Sequence, residues 1–391
     1  MSLHRTSSLL VAVALTACES GTGPSTPAPA APTTNAAESR NTGFPATASV
    51  FATGFKFPRG LTFGSDGALY VAEAGAGGTE TTTGKCTQVV PPVGPYRSGP
   101  TASISRVDRH GNRATFATGF PSSANSFQDY LGVADVAFIG DRLFALSSGG
   151  GCSHGSATSP AGVARVNKSG AWSIIADLSA WQASHPVAHP NAADFEPDGS
   201  WYSMISSGGS LVAVEPNHGE VVRVNPRTGG ITRIVDISAK YGHIVPTVIA
   251  ERRGALYLSS LGLFPGTPGS QKILRISKSG DVSEVATGFT GVLGLDFDSR
   301  GRLYVLETGE VGGFPAPGAG RVVRLDRRGN RVVITEGLFL PTYLRVGPDG
   351  WLYISNKGYG PPQPGEILRV DIRGPNDRDG DNGDDMEKGD D

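Results

Sequence analysis

The 391-residue chain has no segment with a sustained 3.6-residue apolar period, which excludes a fold built on packed amphipathic helices. Its apolar run Leu9 to Leu15 falls far short of the ~20 residues a membrane-spanning helix needs. It carries no His-Glu-x-x-His, no Gly-x-Ser-x-Gly and no Gly-Lys-Ser/Thr loop, so zinc-peptidase, α/β-hydrolase and P-loop chemistry lack sequence support. Charge is sparse, at 18% of residues with a formal net of −2, and no basic stripe points to nucleic acid. Cysteine occurs only three times. What is plentiful is glycine (55) and proline (28), beside an apolar fraction of 38%. That mixture suits many turns and long loops around a packed core rather than disorder.

The chain is organised by a repeat. Six phrases hold an arginine at the same place: Ile104-Ser105-Arg106-Val107-Asp108, Val163-Ala164-Arg165-Val166-Asn167, Val221-Val222-Arg223-Val224-Asn225, Ile273-Leu274-Arg275-Ile276-Ser277, Val322-Val323-Arg324-Leu325-Asp326 and Ile367-Leu368-Arg369-Val370-Asp371. The arginines are 59, 58, 52, 49 and 45 residues apart by subtraction, a period that means stacked or radially arranged units. Ahead of each lies a short apolar run (such as Ala68-Leu69-Tyr70-Val71 or Arg302-Leu303-Tyr304-Val305), and ahead of that another (Gly60-Leu61-Thr62-Phe63, Ala134-Asp135-Val136-Ala137-Phe138, Ala192-Ala193-Asp194-Phe195). Asp66-Gly67, Arg300-Gly301 and Asp349-Gly350 join the two as tight turns. A fourth strand follows, as in Thr115–Gly119 and Glu284–Gly288. The reading is an all-β, six-bladed β-propeller with four antiparallel strands per blade. The last repeat lacks a fourth strand, and the orphan Val50-Phe51-Ala52-Thr53 at the front is expected to supply it and close the ring. A parallel β-helix would have shorter rungs. Present in every blade, the arginines read as structural, their stems packed between sheets.

Domain organisation follows. Residues 1–17 read as a lipoprotein signal peptide, with Arg5 ahead of the apolar run. Leu15-Thr16-Ala17-Cys18 resembles the lipobox of bacterial lipoproteins, which implies cleavage before Cys18, a lipid on its thiol and an exported, membrane-anchored protein. Residues 18–47 read as a disordered Ser/Thr/Pro/Ala spacer, 48–373 as the propeller, and 374–391 as a disordered acidic tail. Cys86 and Cys152 lie in the corresponding loops of adjacent blades, and export favours a disulfide between them over two free thiols.

Long loops gather on one face, at 75–102, 148–162, 216–220, 262–270 and 308–320, and Asp198–Gly209 is read as the one long connection on the other. Long loops on a rigid ring are where a site is expected. The residues closing the second strands form the series Glu73, Ser147, Glu215, Ser260, Glu307 and Asn356. These could hold a hard cation such as calcium, or serve as partners for loop N–H groups. His185, His189, His218 and His243 crowd blades 3 and 4, where imidazole with carboxylate could bind a metal such as zinc or act as a base, or simply hydrogen-bond. The expected pocket is the mouth of the central channel, with Asn191, Glu215, Asn217, His218 and His243 on one side and Glu73 and Glu307 across the rim.

Phe57-Pro58-Arg59-Gly60-Leu61-Thr62-Phe63 through Ala72-Glu73 resembles the opening blade of NHL-like propellers. Glu215-Pro216-Asn217-His218-Gly219-Glu220, Gly242-His243-Ile244-Val245-Pro246-Thr247, Val292–Phe297 and Phe314–Gly320 resemble the ScyD/ScyE family, named for the scytonemin gene cluster. The resemblance covers about residues 48–372 and implies an exported six-bladed propeller without a settled activity. A weaker likeness, to gluconolactonase and regucalcin propellers, implies a divalent metal in the channel. It drafts Glu73, Asn191, Asn217 and Asp296 as ligands, although their flanking motifs differ. Gly-Leu-x-Phe and Leu-Tyr-Val phrases are shared with quinoprotein sugar dehydrogenases, without a matching His–Asp pair. The resulting expectation is a monomeric, lipid-anchored propeller outside the cytoplasm. It binds a small-molecule or protein ligand on its long-loop face, meets the membrane through its anchor alone, has no nucleic-acid partner, and has no assigned catalytic residue. The alternatives are a metal-dependent hydrolase or lactonase, and then a quinone-dependent sugar oxidoreductase.

Overall fold

The computed structural model describes residues 44–325 and 329–373. The expectations for the signal segment, Cys18, most of the spacer and the acidic tail lie outside the described residues. Six antiparallel sheets form the blades of a β-propeller. Blade 1 is Pro58–Phe63, Leu69–Glu73, Arg97–Val107 and Arg113–Ala124, with a short fifth strand Tyr130–Leu131. Blade 2 is Val133–Ile139, Arg142–Ser147, Gly162–Val166 and Trp172–Asp177, and blade 3 is Ser203–Ser207, Ser210–Glu215, Glu220–Val224 and Ile231–Asp236. Blade 4 is Pro246–Arg252, Ala255–Ser260, Gln271–Ile276 and Val282–Phe289, and blade 5 is Val292–Phe297, Leu303–Glu307, Gly320–Leu325 and Arg331–Leu338. Blade 6 takes Tyr343–Val346, Trp351–Asn356 and Gly365–Asp371 from the end of the chain and Ser49–Phe55 from its front. That last pairing runs from Ser49 opposite Arg369 to Phe55 opposite Gly365, so the N-terminal strand closes the ring.

Period-2 alternation gives each strand two apolar faces, and each face packs against the next blade. Six apolar clusters result, one per blade interface. Phe144, Leu178, Trp201 and Val222 fill the interface of blades 2 and 3, while Phe55, Leu61, Val71 and Ile367 fill that of blades 6 and 1. Fully burying one such side chain is worth about 1.5–3 kcal/mol, so the interfaces rather than the single sheets carry the fold. The third and fourth strands shift register in every blade, and such bulges add twist to the outer edge. The strand arginines serve this frame. Arg106 pairs with Asp66 at 2.8 Å, and Arg369 lies 4.9 Å from the Trp351 ring centre and 5.5 Å from that of Phe51.

Two readings need correction. The inner strand of blade 3 is Ser203–Ser207, not Ala192–Phe195, and Asp198–Gly209 is not a connection on the short-turn face. Asn191 caps a 3-10 turn at Ala192–Asp194 by accepting the Ala193 N–H, which takes that apolar stretch out of the sheet. Gly208 and Gly209, at φ 56° and 77°, make the tight hairpin instead. In blade 1, residues 97–102 are strand rather than loop. Arg97–Gly99 pairs with Ser122–Ala124, so this hairpin extends beyond the blade.

Candidate functional site

Polar side chains on and beside the inner strands bond across the ring. Tyr202, leading into blade 3, donates its hydroxyl to the Thr342 carbonyl of the opposite blade 6 at 2.7 Å. Asp135 of blade 2 is fully buried, and one of its carboxylate oxygens accepts from the Tyr343 hydroxyl (2.9 Å), Met204 N–H (2.7 Å) and Ser203 hydroxyl (3.3 Å). Burial pushes this carboxyl up to about 6, against the pull of the Arg345 guanidinium. Arg345 donates to the Leu61 carbonyl at 2.9 Å and to the Tyr343 hydroxyl at 3.1 Å, and it stands 3.6 Å from Asp296. Gly60 is required beside this network, because a Cβ there would overlap the Asp135 carboxylate. Five blades thus meet in one polar network.

Above it lies the mouth. Arg59, buried at the start of blade 1, donates to the carbonyls of Tyr130 (2.9 Å) and Gly358, tying together the loops that carry Asp129 and Tyr359. Asp129 accepts from the Tyr96 hydroxyl at 2.8 Å. Burial raises the Tyr359 hydroxyl, with Asp129 pushing the same way and Arg59 opposing. Tyr202 is also raised by burial, against Arg59 and with Asp135 and Asp129. Asp129, Tyr202 and Tyr359 therefore share one electrostatic environment, and all three are only half-buried.

The loops around the mouth are braced. Cys86 and Cys152 form a disulfide joining the loops of blades 1 and 2. Asp198 accepts from the Ser153 N–H and hydroxyl at 2.7 and 2.6 Å, linking blade 2 to blade 3. Buried His154 faces the Gly150 carbonyl at 2.8 Å and Glu196 at 3.3 Å. Burial pulls its pKa down, but the hydrogen bond and charge of Glu196 more than offset this and raise it.

The predicted residues occupy different positions in this frame. Glu73 accepts from Lys56 N–H (2.7 Å) and Ser105 (2.5 Å) and pairs with Arg113 at 3.0 Å. Glu307 accepts from Thr290 N–H (2.7 Å) and pairs with Arg321 at 2.7 Å. Asn356 accepts from Phe339 N–H at 2.9 Å, and Glu215 from Ser200 and Asn217 N–H at 2.8 and 2.9 Å. Ser260 donates to Gln271 at 2.6 Å, and buried Ser147 has no partner for its hydroxyl. In four blades the series latches the loop that enters the inner strand. Glu73 and Glu307 stay within their own blades rather than facing a common pocket.

The blade 3 and 4 candidates do converge, but on the loop 191–200. Asn217 accepts the Glu196 N–H at 2.8 Å and donates to the Asp194 carbonyl. His218 bonds the Glu196 carbonyl at 2.8 Å through Nε2, and His243 bonds Asp194 at 2.7 Å. His185 stacks on Trp181 at 3.7 Å, and exposed His189 uses its N–H on Ser238. The drafted metal set is not assembled: Glu73, Asn191, Asn217 and Asp296 are each committed to separate partners. Among the described residues, no three His, Cys, Asp or Glu side chains stand arranged for a metal. Sequence reasoning missed Asp129, Tyr96, Tyr202, Tyr359, Tyr343 and Arg345, and passed over Asp135. The available signal was a carboxylate in an otherwise apolar inner strand, Ala134-Asp135-Val136-Ala137-Phe138.

No family model matches the chain, and no curated protein is detectably similar in sequence. Solved structures do match. One is a candidate oxidoreductase (glucose dehydrogenase) from Thermus thermophilus, at 16% identity and TM-score 0.54, covering 83% of this chain and 99% of that one. Another is a Bacteroides thetaiotaomicron protein of unknown function, at 11% identity and TM-score 0.53, covering 83% of this chain and 72% of that one. A gluconolactonase from Xanthomonas campestris aligns over 83% of this chain and 98% of its own, with 13% identity and a TM-score of 0.44. At these identities the likeness extends to the fold alone. The chain is a six-bladed β-propeller.

Proposed function

We propose that the protein is an exported, lipid-tethered propeller that binds a small polar ring compound, such as a sugar, at the mouth on its long-loop face. The observation that carries this is the half-buried set Asp129, Tyr202 and Tyr359 gathered around Arg59. Two aromatic faces with hydroxyls, one carboxylate and a guanidinium suit a ligand that stacks and hydrogen-bonds at once. Rigid loops favour binding because less is lost on ordering them. Export is supported by the Cys86–Cys152 disulfide and by Leu15-Thr16-Ala17-Cys18. The likeness to the ScyD/ScyE family belongs to this reading and rests on the stretches at 215–220, 242–247, 292–297 and 314–320.

The test is a calorimetric screen of the exported protein against mono- and disaccharides. The expected result is a binder lost in Asp129→Asn and Tyr359→Ala but kept in Glu307→Gln. Binding indifferent to both mouth variants, or lost only in the pair His218→Ala with His243→Ala, would move the site to the loop 191–200. Cys18→Ser should shift the protein from the membrane fraction to the soluble one.

A further inference from the structure

The loops of blades 4 and 5 are unlike the rest of the long-loop face. Residues 261–270 and 311–320 contain no charged side chain. At their tips Leu263, Phe264, Val311 and Phe314 are 50%, 42%, 69% and 54% exposed. The two loops form one unit: the Phe264 and Phe314 rings stack at 5.9 Å, and the Gly266 N–H donates to the Gly313 carbonyl at 2.6 Å. Glu310–Val311 pairs with Phe314–Pro315 as a small hairpin that holds the tip out. The one acid of this hairpin, Glu310, turns inward, with a carboxylate oxygen buried and without a hydrogen-bond partner. Burial raises its pKa.

Clustered exposed apolar side chains mark a contact surface. The tether and the make-up of the loops select a bilayer as the contact. The described chain begins beside blade 5 near the short-turn end of its third strand: the Phe44 ring lies 5.5 Å from the Arg324 guanidinium, and the Ala46 N–H donates to the Ile334 carbonyl at 2.7 Å. Cys18 lies 26 positions before Phe44, a length of chain that reaches at most about 90 Å, so a lipid on Cys18 leaves the tip within reach of the same bilayer. Loops without charge and with paired aromatics suit the interface of an uncharged lipid surface.

We propose that the tip formed by Leu263, Phe264, Val311 and Phe314 inserts into the bilayer interface and seats the tethered propeller on its membrane by the edge of blades 4 and 5. This rests on the lipid tether at Cys18 and leaves the mouth loops of blades 1 to 3 clear for ligand.

The experiment uses the full lipidated protein on phosphatidylcholine vesicles. A polarity-sensitive fluorophore is placed at Val311→Cys or, on the short-turn face, at Lys168→Cys. The expected result is a blue shift at 311 with several-fold stronger quenching by brominated lipid than at 168. Adding Phe264→Ser and Phe314→Ser should abolish it while the protein still floats with the vesicles. Equal quenching at both sites in floating protein overturns the proposal. So does a blue shift that needs no lipid and grows with protein concentration, which would assign the tip to a second copy. If the protein does not float, the tether reading fails by itself. In that case the Cys18→Ser protein is titrated with excess vesicles: binding abolished by the two phenylalanine variants sustains the tip, and no binding ends it.

Discussion

The long-loop face has two halves built on opposite principles. Over blades 1 to 3 the loops bury their polar groups and tie them together: a disulfide, the Asp198–Ser153 pair, His154 on Glu196, and His218 on the Glu196 carbonyl. Over blades 4 and 5 the loops bury little, carry no charge across 261–270 and 311–320, and leave four large apolar side chains in water. Both sets stand on the same ring. The braced half suits a preorganised ligand site. The bare half is suited to meeting another apolar phase.

The largest expected effect is blind to this difference. Deleting residues 48–55 strips the outer strand from blade 6, and with it ladder bonds and the Phe55 packing, at a cost of several kcal/mol. Thermal melts should then show both halves lost together. Opening the disulfide should separate them. Cys86→Ser with Cys152→Ser frees a loop of 66 residues, worth about 4 kcal/mol by chain entropy. Limited proteolysis should then cut within residues 76–96 before it cuts within 262–270.

A third prediction concerns the floor beneath the braced half. The folded pKa of Asp135 is raised to about 6, from an ordinary value of 3.8. The folded state therefore holds this proton more tightly than the unfolded state, and stability falls as pH rises from about 4 to about 6. The stability difference between wild type and Asp135→Asn should shift against wild type by about 3 kcal/mol over that window and be flat above it, as urea melts at each pH would show. A flat difference throughout would mean that Asp135 is not desolvated.

Much of this architecture was legible. Six arginine phrases set the blade count, and the missing fourth strand after Val370 pointed to the front of the chain. The exceptions have physical causes. Ala192–Phe195 has the composition of an inner strand, but an Asn cap and a Gly-Gly turn downstream overrule it. The floor was illegible because Asp135 and its partner Tyr343 lie 208 positions apart, and only ring closure brings them together. The mouth residues come from loops outside the repeat, so no register marks them. The rim carboxylates could be found by their register, but the same register made them latches for loop N–H groups.

Smaller effects should sharpen the contrast. His218→Ala removes a buried ring that bonds the Glu196 carbonyl and should cost about 1–3 kcal/mol. His243→Ala should cost less than about 1 kcal/mol, because its partner Asp194 is over a third exposed. Phe264→Ser with Phe314→Ser should leave stability within about 0.5 kcal/mol, as exposed side chains away from structural features do.

The most direct test of the two-halves account is amide hydrogen exchange on the lipidated protein, free and on phosphatidylcholine vesicles. Exchange reports local opening, and the braced loops are tied by Glu80–Ser98 backbone bonds of 2.9 and 3.0 Å in both directions. The account predicts slow exchange at Glu80, Ser98 and Gly151 in both states, and fast exchange at 263–264 and 312–313 that slows only on vesicles. Equal exchange in the two halves, unchanged by lipid, would contradict it.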